Sequence, residues 1–144
     1  MPTSQATALR EPPRTVPPWL ALAAGVLPLI GFVVFLLVPY YVNDLDRLPL
    51  SEVASGLHDP KDLWPRNEPG LARFFDLGGM LTVMFGAVIA ALGVFASLHG
   101  LVAEWRTSGA ARKTLWIVGA TSAAAMLGLG LSPVGGALYA WWLD

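Results

Sequence analysis

This chain of 144 residues is 55% hydrophobic and only 13% charged, with mean hydropathy +0.58 and a formal net charge of −1. An ordinary soluble domain carries about 25% charged residues, so that class is disfavoured from the start. No cysteine is present, which excludes disulfides, thiolate metal sites and cysteine nucleophiles.

The charges leave three long gaps, Thr15–Asn43, Leu77–Ala103 and Thr114–Leu143. Each exceeds the roughly 20 apolar residues needed to cross a bilayer core about 30 Å thick. The fold class expected is an all-α integral membrane protein. It has three transmembrane helices and one long extracytoplasmic loop carrying short interfacial helices. A disordered cytoplasmic tail (1–18) precedes a membrane domain (19–144), with spans at about 19–38, 77–98 and 115–142, an outer loop 42–76 and an inner loop 103–114.

The tail is polar and Pro-rich and cannot bury a core. In the first span, Pro17 and Pro18 suit a helix start and Pro39 a stop, while Pro28 predicts a kink by freeing the carbonyl of Ala24. Trp19 at one end and Tyr40 and Tyr41 at the other fit aromatic interface belts. The segment "VPYYVND" offers no small-residue cleavage pattern, so the span is read as retained rather than as a signal peptide.

The outer loop gathers the chain's potential chemistry in "SGLHDPKDLWPRNEPG", where His58, Asp59, Asp62 and Glu68 fall close together. A metal site needs three or four ligands with fixed directions. His58 and Asp59 are adjacent, and "DPKD" reads instead as a helix start with Asp59 as N-cap and Pro60 at the first position. A turn is therefore favoured over a metal or catalytic site, and His58 is read as solvated. Ser51 is expected to cap a second short helix with Leu50, Val53 and Leu57 on one face. With Leu63, Trp64, Phe74 and Phe75, this oily loop is expected to rest on the bilayer interface or on the mouth of the bundle.

Asn67 is a candidate cap for the second helix, which carries Arg73 and Asp76 one turn apart. Within that span Gly79, Gly86, Gly93 and Gly100 fall seven residues apart, and Thr82, Ala90 and Ser97 fill the intermediate positions. Steps of three and four make one small-residue stripe with the 3.5-residue period of a left-handed helix pair. In lipid, burying oil against oil gains little, so close backbone packing supplies the attraction and such a stripe marks a packing face. His99 at the end of this span is weighed as a haem ligand and set aside, because no second axial ligand lies on its side of the membrane.

The third span is flanked by Trp116 at one interface and by Tyr139, Trp141 and Trp142 at the other, and Pro133 predicts a bend. Ala120, Ala124, Gly128, Ser132, Gly136 and Ala140 recur every four residues, the small-xxx-small pattern of right-handed crossings. No span contains an ionisable residue at mid-membrane, and each span hydroxyl (Thr82, Ser97, Thr121, Ser122, Ser132) can return to a carbonyl of its own helix.

Arg10 and Arg14 in the tail and Arg106, Arg112 and Lys113 in the inner loop outweigh, by density near the membrane, the four basic residues of the outer loop. That places the N-terminus in the cytoplasm and the C-terminus outside. Seven Arg against two Lys, with abundant Ala, Gly and Pro, suggest GC-rich codons and a bacterial plasma membrane.

The function expected is non-enzymatic: an accessory, assembly or scaffold subunit of a membrane complex, or a self-associating bundle, acting through helix packing. Its partners are the lipid bilayer and a packing helix of its own or another chain, with no nucleic acid and no cofactor. The alternatives are a homo-oligomeric pore or small transporter component, for which Pro28 and Pro133 are the motive, and a haem or redox subunit.

Overall fold

The computed structural model describes residues 15–144. Of the tail expected over 1–18, residues 1–14 lie outside the described residues. Among the described residues the chain is all helical, without strands. Three helices are long and apolar enough to cross a membrane: Pro18–Val42, Ala72–Glu104 and Ala110–Leu131.

The first begins as α1 (Pro18–Phe32), with Pro17 and Pro18 at its start. It does not stop at Pro39. A π-helical segment, Val33–Leu37, leads into α2 (Val38–Val42), in which Pro39 occupies the first turn. A proline ring clashes with the carbonyl four residues back and lacks an N–H. Widening the preceding turn to the i→i+5 pattern removes that conflict, so the helix runs on for most of another turn.

The connection from Asn43 to Leu71 holds a 3₁₀ turn (Leu45–Arg47), the short α3 (Leu50–Val53) and a series of turns. Three expected caps fall elsewhere. Pro49, not Ser51, precedes α3, and Leu57 is exposed beyond it. "DPKD" is a turn rather than a helix, although Asp59 Oδ1 still accepts from the Lys61 N–H at 2.8 Å. Leu71 precedes the second long helix, α4 (Ala72–Glu104), and Asn67 sits in the turn before it.

The third long helix, α5, runs Ala110–Leu131 and ends where the sequence reading carried it on to 142. Ser132 is extended (φ −71°, ψ 159°), as the residue before a proline prefers. Its hydroxyl accepts from the Gly135 N–H at 3.1 Å and so caps a separate helix, α6 (Pro133–Leu143), with Pro133 at the first position. Pro133 therefore starts a new helix instead of bending an old one.

The long helices α1, α4 and α5 pack pairwise on one another, and their register follows from where side chains are missing. A Cβ at Gly25 would lie 2.2 Å from the carbonyl oxygen of Gly119, so α1 and α5 touch backbone to backbone. Gly93 of α4 faces Ala24 and Gly25 of α1, and Ser97 of α4 faces Gly119 of α5. Toward the turn joining α4 to α5 (the hairpin end), the Trp116 indole covers Gly100; toward the 43–71 connection (the cap end), Phe35 covers Gly78. The three helices thus meet closest around Gly25, Gly93 and Gly119, and bulky rings fill the ends as they diverge.

At the cap end the connection folds over the bundle and α6 clasps it. Trp141 Nε1 donates to the His58 carbonyl at 2.7 Å, and Lys61 Nζ donates to the Asp144 carbonyl at 3.0 Å. Asn43 donates to the carbonyls of Pro39 and Trp64, each at 2.7 Å, tying α2 to the connection. His58, read as solvated, is half-buried with its Nε2 3.1 Å from Glu52 Oε1. Trp116, Trp141 and Trp142, expected as interface belts, are all buried in packing contacts.

Candidate functional site

The residues of the α4 stripe share one face. Gly79, Thr82, Gly86, Ala90, Gly93, Ser97 and Gly100, with Phe75, are the buried residues of that helix. Each glycine has a specific occupant. A Cβ would lie 2.0 Å from Trp142 at Gly79, 3.0 Å from Met126 at Gly86, 3.0 Å from the Ala24 carbonyl carbon at Gly93 and 2.4 Å from Trp116 at Gly100. All these occupants belong to the same chain, so the stripe is spent within the monomer.

The four-residue ladder of α5 and α6 is placed differently. Ala124, Gly128, Gly136 and Ala140 are exposed, Ala120 and Ser132 are half-buried, and a Cβ at Gly128 or Gly136 would meet nothing within 4 Å. The buried face of α5 is instead Trp116, Gly119, Ala123 and Met126. Those positions follow steps of three and four in the sequence, a signal outcompeted there by the longer, more regular ladder.

Pro28 is buried in the middle of α1, and the helix continues through it. Beside it, α1 and α4 diverge to leave an open apolar groove of 560 Å³. Ala23 and Ala24 are its small walls, Leu27, Phe35, Leu77 and Leu81 are among its larger ones, and Thr82 and Phe35 fill the space over Gly31 and Gly78. The polar side chain lining it is Thr82, whose hydroxyl donates to the Gly78 carbonyl at 2.8 Å. The groove therefore offers hydrocarbon contact and no free side-chain donor.

Two other hydroxyls return to their own helices, Thr121 to Ile117 at 2.9 Å and Ser132 to Leu129 at 2.6 Å. Ser97 does not. Its Oγ and the Trp116 Nε1 are buried without a hydrogen-bond partner among the described residues.

At the cap end, the Arg66 guanidinium lies 4.4 Å over the Trp142 ring, and its Nε meets Asp76 Oδ1 at 2.6 Å. Asp76 and Gly79 are one turn apart on α4, so Trp142 is gripped between that helix and an arginine tethered to it. At the hairpin end, Glu104 pairs with Arg112 at 2.5 Å and also accepts from Thr15, while Lys113 Nζ lies 4.8 Å over Trp105. Among the described residues no three His, Asp or Glu side chains gather as metal ligands, and His99 is exposed on α4. No family model matches the chain, and no curated protein or solved structure does either.

Sequence reasoning did not single out Gly31, Gly78, Gly119, Arg66 or the packing roles of the tryptophans. Gly25, Pro28 and Gly31 do recur at three-residue steps, a faint trace of the buried face of α1. Nothing local announces that Arg66 would turn to Asp76 and Trp142.

Proposed function

We propose that this chain is a multi-pass membrane protein of a bacterial plasma membrane, its N-terminus cytoplasmic and its C-terminus outside. It acts without catalysis, as an accessory, assembly or scaffold subunit or as a self-associating bundle. The observation that supports this reading is the uncovered small-residue face through Ala124 and Gly128 of α5. In lipid, helices associate where small residues let backbones approach. The glycines of α4 have their space filled from within the chain, whereas a Cβ at Gly128 has 4 Å of open space around it. Association with a second helix is the use of such a face that its chemistry supports.

The test separates docking from folding. Ala124→Leu with Gly128→Leu adds bulk to exposed positions and leaves the internal contacts alone. Cross-linking and sizing in mild detergent are expected to show a smaller particle for the double variant, with the melting temperature unchanged. A particle of the same size with the same co-purifying subunits removes this reading.

A further inference from the structure

We propose that the groove between α1 and α4 is a site for one acyl chain of an anionic glycerophospholipid, whose phosphate is held by Arg73. The inference rests on the membrane insertion proposed above but not on docking through α5.

The shape of the groove selects the occupant. Its wall on the first span runs from Leu20 to Phe35 and its wall on α4 from Phe74 to Ile89. Each covers fifteen residue steps, about 22 Å at the helical rise. Spread over that length, 560 Å³ describes a long, shallow trough open along one side. A single extended hydrocarbon chain advances about 1.25 Å per methylene, from C–C bonds of about 1.5 Å at near-tetrahedral angles. The length then matches roughly 17 carbons, an ordinary membrane acyl chain.

Chemistry points the same way. The one polar side chain in the lining, Thr82, has already returned its hydroxyl to Gly78, so the lining gives a polar ligand no side-chain donor to bind. The charge lies at the mouth. Phe35 and Phe74, whose rings touch with centroids 5.3 Å apart, line the cap end of the groove. Arg73 precedes Phe74 and stands one turn from Leu77, on the edge of the same face. Asp76, the nearest acid along the helix, is engaged by Arg66 instead. The exposed Arg73 guanidinium therefore has no ion pair among the described residues, and it can take an anionic phosphate bidentately.

Full-length protein extracted in mild detergent would be examined by native mass spectrometry with phosphatidylglycerol, with phosphatidylcholine of the same chains, and with inorganic phosphate alone. One phosphatidylglycerol per chain is expected, held about fivefold more strongly than phosphatidylcholine, with no retention of free phosphate. Ala23→Trp, which fills the groove from its open side, is expected to cut retention by about tenfold or more. Arg73→Gln should abolish the headgroup preference and leave chain binding. Val118→Trp, exposed on α5, controls for added bulk, and an unchanged melting temperature shows that the variants fold. Equal retention by Ala23→Trp, retention of several lipids without preference, or a second polypeptide in place of lipid would each overturn the site. Carbonate extraction of the membranes distinguishes the two failures. Release of the protein would sink the membrane reading and the site with it, whereas membrane-retained protein that carries no lipid sinks the site alone.

Discussion

The carbonyl of Ala24 lies against Gly93, and it is the carbonyl that Pro28 leaves without a helical partner. A proline has no N–H for the residue four back, so Ala24 loses its intrahelical bond. On α4 a Cβ at position 93 would fall 3.1 Å from that oxygen and 3.0 Å from its carbon. Proline on one helix and glycine on the other therefore make one feature. The freed acceptor is received by a backbone with no side chain in the way, a setting for Cα–H···O contacts.

Gly93→Ala is accordingly expected to destabilise the protein by about 1–3 kcal/mol, because the methyl group meets backbone that cannot rotate aside. Gly128→Ala, on a helix surface with nothing within 4 Å, should instead be neutral or stabilise by up to about 1 kcal/mol through helix propensity. Thermal melts in a single detergent give both signs. Equal effects at the two positions would mean that α1 and α4 are not in contact there.

The clasp at the cap end predicts a graded pair of losses. Trp142→Ala empties the space over Gly79 and under Arg66 and should cost about 3–5 kcal/mol, as large aromatic truncations do. Asp76→Asn removes only the tether of Arg66. Asp76 is 52% exposed but the Arg66 side chain only 10%, so water screens the pair from one side alone and the cost should be about 1–3 kcal/mol. In both variants limited proteolysis should begin in the 43–71 connection, before α4 or α5 is cut. Cleavage that begins within the long helices would show that the clasp does not hold the connection down.

Ser97 supplies an expectation of the opposite sign. Its hydroxyl is buried without a partner, and leaving such a group dry costs about 1–3 kcal/mol. Ser97→Ala keeps the small side chain that Gly119 requires and removes that cost, so the melting temperature should rise. A fall would show that the hydroxyl holds a bond to a buried water, which heavy-atom packing alone does not reveal.

The long helices were legible because hydrophobicity over some 20 residues is a property of composition. The α4 stripe was legible because four glycines keep one heptad register. What the stripe packs against was not, since the occupants come from three other elements: Trp142 of α6, Ala24 of α1, and Met126 and Trp116 of α5. The tryptophans misled for a physical reason. An indole near a span end satisfies an interface belt and a glycine notch equally well in sequence, and only the register between helices decides. The break at Ser132 was half-visible. Proline in an apolar run signals disruption, but the serine cap that converts a bend into a new start depends on its hydroxyl reaching the Gly135 N–H. The groove was invisible, because its lining comes from two helices whose mutual register no local pattern fixes.

The proposed orientation rests on charge placement and can be read chemically because the chain contains no cysteine. The 42–76 segment carries four basic and seven acidic residues, a net charge of −3, while Arg106, Arg112 and Lys113 crowd the hairpin end. Cytoplasmic retention of Lys and Arg near span ends sets the proposed threading. A single Ser55→Cys, exposed in the cap connection, should then react with a membrane-impermeant maleimide on intact cells. Thr107→Cys, exposed in the hairpin, should react only after the membrane is opened. Alkaline phosphatase fused after Asp144 should be active, since α6 brings that residue to the same end as Lys61. Reversed labelling with an inactive fusion inverts the threading and leaves the packing intact. Labelling of both cysteines on intact cells would mean that the three helices do not span the membrane.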